Sequence, residues 1–170
     1  MGDAFSIRPE HANDVERVHA VNRAAFDSED EANLVDALRG SDQVLSLVAD
    51  ERGSVDGHIM FSPVTLSGEP TLRAMALAPM AVRPNRQRSG VGSALVRAGL
   101  DACRSVGVEA IFVVGHPEYY PRFGFSRASR FGITCEFNVP DEAFMAIELA
   151  EGSLLNRKGT ICFHAAFKGL

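Results

Sequence analysis

The stretch from Arg86 to Ser93 constrains the fold of this chain more than any other. It contains Gly90 and Gly92, follows an extended apolar run over residues 75–82 and precedes a helix-like run over residues 93–106. This order predicts a strand, a tight turn and the start of a helix. The first amides of a helix have no intrahelical acceptor and form the positive end of its dipole. Because glycine lets an anion approach the backbone closely, the stretch predicts a phosphate-binding loop.

The loop differs from two common nucleotide-binding motifs. It has no Gly-Lys-Ser/Thr sequence, which a Walker A loop requires. It also lacks the third glycine of the dinucleotide fingerprint, and Glu109 stands where the next strand begins. Arg86 and Arg88 add positive charge beside the glycines. We therefore expect a different phosphorylated ligand, with an ordinary turn before a helix as the alternative interpretation.

Composition and charge exclude several classes of protein. A chain of 170 residues, of which 46% are hydrophobic, predicts one globular domain over residues 1–170. The net charge of -5 and the lack of a basic tract argue against nucleic-acid binding. The sequence has no run of about 18 apolar residues, which a membrane span would need. Three widely spaced cysteines, Cys103, Cys135 and Cys162, fit a reduced, cytoplasmic protein without a metal site.

The hydrophobic pattern predicts a mixed α/β protein. Apolar residues at helical spacing predict helices over residues 15–26, from residues 27–31 to Gly40, and over residues 93–106. Strands are predicted over residues 5–8, 45–49, 55–64, 71–82, 109–114, 133–137, 143–149 and 159–167. Residues 115–125 predict a turn and at most a short helix. Pro79 predicts a bulge or splay near residues 78–80, because proline removes a ladder hydrogen bond.

Two further segments have a structural and a functional interpretation. The acidic cluster Asp27–Glu31 stabilises a helix start through the dipole, and it is also suited to attracting a cationic amine. The apolar run from Ile161 to Phe167 predicts a last strand that either completes the core or buries an edge against a second copy. A monomer and a homodimer both fit this pattern.

Three linked segments resemble the GNAT superfamily of acyl-CoA-dependent N-acetyltransferases. Met80-Ala81-Val82-Arg83-Pro84 resembles the end of the fourth strand of that family. Gln87-Arg88-Ser89-Gly90-Val91-Gly92 resembles its pyrophosphate loop, and Tyr120-Pro121-Arg122-Phe123-Gly124-Phe125 resembles its Tyr-x-x-x-Gly-Phe segment. The resemblance covers residues 5–130, and the remainder resembles the tail of a small bacterial subgroup of predicted N-acetyltransferases. It implies a mostly antiparallel mixed sheet with splayed central strands, flanked by helices.

The resemblance also implies a site for acetyl-CoA as co-substrate. The amides of residues 88–93 would hold the pyrophosphate, and the backbone of Met80 and Val82 would pair with the pantetheine arm. An amide near this strand end is also suited to stabilising the oxyanion. The residues implied in binding are Met80, Ala81, Val82, Gln87, Arg88, Ser89, Gly90, Val91, Gly92 and Ser93.

Tyr120 matches the tyrosine with which this family protonates the leaving thiolate. Its spacing of four residues to Gly124 fits the motif, and the neighbouring Tyr119 is the alternative acid. An ordinary core aromatic residue with a satisfied hydroxyl is the structural interpretation of Tyr120.

The general base is not evident, because the strand over residues 75–82 contains no acidic residue. His116 follows the next strand and is a tentative base or polar contact. Glu109 at the start of that strand is a second candidate, and His58 or Glu136 would have to act through a water. An amine with a lowered pKa would need no dedicated base.

These observations predict an N-acetyltransferase that acts by direct attack in a ternary complex. The acceptor would be a primary amine of a small molecule or peptide, without nucleic acid or membrane as a partner. Nothing about Cys103 indicates a covalent acetyl-enzyme. Two alternatives remain open: a non-catalytic acyl-CoA-binding sensor, and a nucleotide-binding regulator whose loop would take ATP or NAD.

Overall fold

The computed structural model describes residues 5–169, which form three α-helices and nine strands. The helices are α1 (Val15–Phe26), α2 (Asp30–Arg39) and α3 (Val91–Ser105). The strands are β1 (Ser6–Pro9), β2 (Leu45–Glu51), β3 (Ser54–Leu66), β4 (Glu69–Val82), β5 (Ala110–Val114), β6 (Ser126–Arg127), β7 (Ile133–Cys135), β8 (Phe144–Glu148) and β9 (Gly159–Cys162). Short 3-10 turns connect several of these elements.

The strands form a mixed sheet in the order β1-β2-β3-β4-β5-β8-β6, and β9 pairs with both β3 and β7. Most of the described pairings are antiparallel, while β4–β5 and β7–β9 are parallel. This arrangement confirms the predicted α/β class with a mostly antiparallel mixed sheet. None of the described helices is long and apolar enough to cross a membrane.

The described chain divides into two compact units. One unit contains the residues up to Phe61, Pro79–Gly99 and the residues from Ala166 onward. The other contains Ser62–Ala78 and Leu100–Ala165. The prediction of one domain over residues 1–170 stays a prediction.

The β2–β3 hairpin contains a β-bulge, and its extra residue contacts the candidate site described below. Its two-residue turn has positive φ at Arg52 (53°) and Gly53 (86°), the conformation that matches strand twist. Ala49 pairs with Gly57, but Asp50 pairs with Val55, so the register shifts by one residue. Asp56 is therefore the extra residue of a β-bulge, a feature that redirects a side chain and releases backbone groups from the ladder.

The parallel pairing of β4 with β5 is short. It joins Ala74–Ala76 to Ala110–Phe112, and the described register ends there. β4 itself continues through Pro79 to Val82. The bulge or splay predicted near residues 78–80 stays a prediction.

The end of the last predicted strand was wrong. β9 ends at Cys162, and Ala165–Gly169 forms a 3-10 turn instead of continuing to residue 167. The Phe163 amide donates to the Glu136 carboxylate, which takes this backbone group out of a strand ladder. Ile161 is fully buried in the apolar core of the second unit, beside residues such as Phe112 and Phe144. Because β9 has a partner on each side, it does not provide the free sheet edge that was one interpretation of this run.

Candidate active site

The loop between β4 and α3 exposes the first turn of a helix. Residues 87–90 are exposed, and α3 begins at Val91, two residues before the predicted start. Arg88 and Gly90 have positive φ of 62° and 93°, which a tight turn requires. The Ala94 amide donates to the Gly90 carbonyl at 3.0 Å and makes the first helical bond. The amides of residues 91–93 therefore precede the helical ladder, as an anion-binding helix start requires.

Side chains of the loop fix its shape. Gln87 Nε2 donates to the Val82 carbonyl at 3.2 Å, which ties the loop to the end of β4. The Ser89 hydroxyl donates to the Arg86 carbonyl, and the Arg86 amide donates to the Arg83 carbonyl at 2.8 Å. Gln87 and Ser89, both predicted to bind the co-substrate, thus also hold the backbone that would do so.

Arg86 is engaged by carboxylates. Its guanidinium donates to Glu51, and its Nη1 lies 3.2 Å from Asp56 Oδ2. Asp56 is only 5% exposed and also accepts from the Ser54 hydroxyl at 3.2 Å. Arg83 joins the same group, because its amide donates to the Asp56 carbonyl at 2.9 Å. Arg86, predicted to add positive charge beside the glycines, pairs with two carboxylates and holds the loop to the β2–β3 hairpin.

Gly57 allows α3 to begin close to the sheet. A Cβ at this position would lie 2.8 Å from Val91 Cγ1, 2.9 Å from Leu95 Cδ1 and 3.2 Å from the Ala81 carbonyl. Real Cβ atoms rarely make such contacts, so a larger residue would displace the helix start or the end of β4. Gly57 therefore sets the distance between two predicted binding segments.

Tyr120 is the first residue of a 3-10 turn over Tyr120–Phe123. Its buried ring packs edge-on against Tyr119 and Phe125, with centroid distances of 5.1 and 5.6 Å. Burial raises the pKa of the Tyr120 hydroxyl well above its ordinary value, and the adjacent Tyr119 adds to this shift. The phenol is protonated at neutral pH, as tyrosine ordinarily is, and so has a proton to give. Gly124 ends the turn at a φ of 105°, which explains the glycine of the motif.

Gly115 makes room for the Tyr120 ring. A Cβ at Gly115 would lie 2.3 Å from Tyr120 Cε2 and 2.9 Å from Cδ2. The bare backbone at this position thus determines where the ring lies. Sequence reasoning treated Gly115 only as part of a turn.

An open pocket of about 360 Å³ borders the Tyr120 turn. Its lining residues are His116, Pro117, Glu118, Tyr119 and Arg122. The Arg122 guanidinium carbon lies 4.7 Å from the centroid of the Tyr119 ring, a cation–π arrangement. His116 is exposed here, within reach of a ligand in the pocket.

Two of the other candidate bases are occupied at structural positions. Glu109 lies before the first residue of β5, whereas His116 follows its last residue. The Glu109 carboxylate accepts from the Arg73 amide at 3.0 Å. Glu136 accepts from the Phe163 amide. Both carboxylates therefore satisfy backbone groups at strand ends, and His116 is the candidate that faces an open pocket.

His58 lies at the inner end of a buried polar chain. The Asn22 side-chain amide donates to its Nδ1 at 3.0 Å, so Nε2 carries the proton and donates to Ser46 Oγ at 2.8 Å. The Ser46 hydroxyl donates to Glu10, which also accepts from Arg39 Nε at 3.0 Å. Burial, with a smaller effect from Arg39, lowers the pKa of His58 to about 3. This histidine is inaccessible and neutral, which disfavours a role as general base.

The acidic cluster before α2 is partly neutralised. Glu29 bonds to His19 Nε2 at 3.0 Å and to Arg23 Nε at 2.7 Å, and Asp36 bonds to His19 Nδ1 at 2.8 Å. The Ser28 hydroxyl accepts from the Asp30 amide at 3.1 Å, which helps to begin α2. These contacts favour the structural interpretation of the cluster.

The cysteines are placed for packing. Cys103 is fully buried, and burial raises the pKa of its thiol to about 12. Burial also raises the pKa of Cys135. Within residues 5–169, no group of three or more His, Cys, Asp or Glu side chains is arranged to hold a metal ion.

Comparison with known proteins identifies the family. The model described as Acetyltransferase (GNAT) family matches residues 14–125. The chain belongs to the GNAT family. The uncharacterized N-acetyltransferase YhbS of Escherichia coli is 36% identical over 163 residues, which cover 95% of this chain and 97% of the relative. The predicted family, fold class and acetyltransferase class are confirmed.

Two solved GNAT structures superpose over most of the chain. A crystal structure of Escherichia coli YhbS in complex with CoA has a TM-score of 0.92 and 34% identity, covering 96% of this chain and 92% of that one. A GNAT acetyltransferase from Brucella melitensis in complex with acetyl-CoA has a TM-score of 0.80 and 34% identity, covering 96% and 97%. The roles of individual residues in the present GNAT chain stay predictions.

Proposed function

We propose that this GNAT protein transfers the acetyl group of acetyl-CoA to a primary amine. The observation that carries the proposal is the exposed start of α3, where the turn at Gly90 leaves the amides of residues 91–93 outside the helical ladder. The complexes of the two GNAT relatives with CoA and acetyl-CoA support the same ligand class.

The binding residues suit a pyrophosphate and an extended arm. The helix start and the exposed Arg88 provide amide donors and positive charge for the two phosphate groups. Residues 80–82 at the end of β4 lie beyond the described pairing with β5. Their backbone is suited to hydrogen bonds with the amides of the pantetheine arm. Acetyl-CoA is a substrate here, and the reaction consumes it.

The reaction balances without a covalent enzyme intermediate. The amine nitrogen forms a bond to the acetyl carbon, the carbon–sulfur bond breaks, and the sulfur leaves with the electron pair. Tyr120, whose phenol is protonated at neutral pH as tyrosine ordinarily is, gives its proton to that sulfur. The nitrogen loses a proton to His116 or to solvent. The acceptor is a small-molecule or peptide amine.

Ligand titration tests the proposal. Acetyl-CoA, CoA, ATP and NAD are each added to the folded protein while its melting temperature is recorded. A ligand at about 100 times its Kd stabilises the folded state by about 2.7 kcal/mol, which is several degrees for a domain of this size. We expect shifts with acetyl-CoA and CoA alone, and a shift with no CoA species would refute the proposal.

Turnover is then measured as release of free CoA thiol across a panel of amines. Polyamines, amino acids, aminoglycosides and peptides with free N-termini cover the main acceptor classes. Thiol release that depends on one acceptor class supports transfer. Tight CoA binding without release on any acceptor would favour the acyl-CoA sensor instead.

A further inference from the structure

The phosphate-binding loop is held from a strand that precedes it by some thirty residues in the chain. Arg86 contacts both Glu51 at the end of β2 and Asp56 near the start of β3. The Arg83 amide and guanidinium bond to the Asp56 and Val55 carbonyls at 2.9 and 3.0 Å. These contacts fix the segment that leads into the loop at both its backbone and its side chains.

The bulge at Asp56 makes this attachment available. Asp56 is the residue that the register shift leaves without a partner in β2. Its carbonyl accepts from the Arg83 amide at 2.9 Å, and its carboxylate contacts Arg86. β-Bulges are frequent next to functional sites for this reason.

The two arginines of the loop differ in what surrounds them. Asp56 is 5% exposed, and a buried carboxylate needs a cation or several donors to remain charged. If Arg86 moved to a phosphate, Asp56 would keep only the longer contact with Arg83, whose Nε lies 3.8 Å from Asp56 Oδ1. Among residues 5–169 no ion pair joins Arg88 to a buried acid, and Arg88 is exposed, with positive φ.

We propose that Asp56 and Glu51 are positioning residues: they hold Arg86 so that the α3 amides and Arg88 receive the pyrophosphate of CoA. This inference rests on the proposed function of the loop. It assigns Arg86 to the protein and Arg88 to the ligand, although both lie within the same short stretch.

Isothermal titration of CoA into six variants tests the assignment. The variants are Asp56→Asn, Glu51→Gln, Arg86→Gln, Arg86→Lys, Arg88→Gln and the double variant Asp56→Asn/Arg86→Gln. Glu69→Gln serves as a matched control, because it removes a half-buried ion pair with Arg157 that includes no residue of the loop or of the β2–β3 hairpin. Each melting temperature is recorded, and binding is measured well below it at two salt concentrations.

We expect Asp56→Asn and Arg86→Gln each to weaken CoA binding about tenfold, with no further loss in the double variant, because coupled residues are not additive. Arg88→Gln should weaken binding and also reduce its salt dependence, since a direct charge contact with phosphate is lost. Arg86→Lys, which keeps a cation between the carboxylates, should restore part of the affinity. Glu69→Gln should bind CoA as the wild type does.

The outcomes distinguish a failure of this inference from a failure of the proposed function. A wild type that does not bind CoA refutes the proposed function. A wild type that binds, with Asp56→Asn and Arg86→Gln unchanged in Kd but lowered in melting temperature, overturns only the positioning role. If Asp56→Asn does not fold, Glu51→Gln decides alone, because the Glu51 side chain is less buried than that of Asp56. An unchanged Kd there also overturns the proposal.

Discussion

The predicted co-substrate loop and the predicted general acid Tyr120 are held in place by different kinds of contact. The unit that contains the predicted phosphate-binding loop relies on buried polar groups, with Asp56 paired to Arg86 and His58 bonded to Asn22 and Ser46. The unit that contains Tyr120 relies on aromatic packing and on a glycine that leaves space for the ring. Polar contacts fix direction but depend on charge state, whereas packing depends on volume. The two regions should therefore fail under different perturbations.

The largest expected effect is on catalysis. Tyr120→Phe keeps the ring and its packing but removes the proton that we assign to the leaving thiolate. We expect turnover to fall about 10²- to 10⁴-fold, the usual contribution of a general acid, while the Kd for CoA is unchanged. Thiol release measures turnover, and CoA titration measures the Kd. Tyr119→Phe is the matched control, and an equal loss there would move the acid role to Tyr119 or to neither residue.

Two glycine substitutions contrast the regions directly. Gly115→Ala would place a Cβ 2.3 Å from the Tyr120 ring, and Gly57→Ala would place one 2.8 Å from Val91. Each should cost about 1–3 kcal/mol of unfolding free energy through overpacking. Gly57→Ala should also weaken CoA binding. Gly115→Ala should instead lower turnover without changing the Kd for CoA.

Gly40→Ala provides the control for both, because nothing lies within 4 Å of its Cβ position and its φ is -80°. Its unfolding free energy, measured by urea titration, should change by less than about 0.5 kcal/mol. If both tight glycine variants affected CoA binding equally, the proposed separation of the two regions would fail.

Acid should act first on the polar region. The pKa of His58 is lowered to about 3 in the folded protein, against about 6.5 in an unfolded chain. Below pH 6.5 the unfolded state therefore binds a proton that the folded state excludes. This contribution to stability is complete above pH 6.5 and is lost as the pH falls toward 3, with a slope of up to about 1.4 kcal/mol per pH unit.

Hydrogen exchange at pH 7.5 and pH 5 locates this loss. We expect the protection factors of α1 and β2 amides, corrected for the pH dependence of intrinsic exchange, to be lower at pH 5 than at pH 7.5, with β5 and β8 less affected. His58→Gln removes the titrating group, so the pH slope of its unfolding free energy should be shallower than that of the wild type. Parallel slopes for the two proteins would show that other groups control the acid response.

The smallest effect is expected at the opposite end of the pH range. Hydrogen bonds to Asp36 and then Glu29 raise the pKa of His19 above its ordinary value. Its contribution to stability is fully present below pH 6.5 and is lost as the pH rises through the raised pKa. Because the group is near the surface, we expect a loss below about 1 kcal/mol. The difference in unfolding free energy between the wild type and His19→Gln should therefore shrink above neutral pH. A difference that stays constant there would contradict this expectation.

The sequence was most informative where local rules govern structure. The glycine turn before α3 and the strand before it follow from backbone geometry, and α3 began within two residues of its predicted start. The motif around Tyr120 is likewise local, because Gly124 must end the turn at positive φ. The family follows from these segments, which is why the resemblance was correct.

Contacts between distant segments could not be predicted in the same way. Asp56 looked like an ordinary polar residue near a strand start, and only the register shift opposite Ala49 and Asp50 shows its role. Gly57 offered a weak signal, since glycine inside a strand often marks a close backbone approach. The end of β9 was missed because Phe163 and Phe167 continue an apolar pattern that the Glu136 contact interrupts.

The bulge at Asp56 has a consequence for protein engineering. Grafting the glycine loop alone onto another strand–helix scaffold would transfer the amides. It would leave behind the hairpin that we propose positions them. A transferable module would have to include residues 51–57 together with residues 83–93, two pieces remote in sequence. The anion-binding unit that we propose is thus discontinuous in sequence, and one of its parts is a single extra residue in a strand.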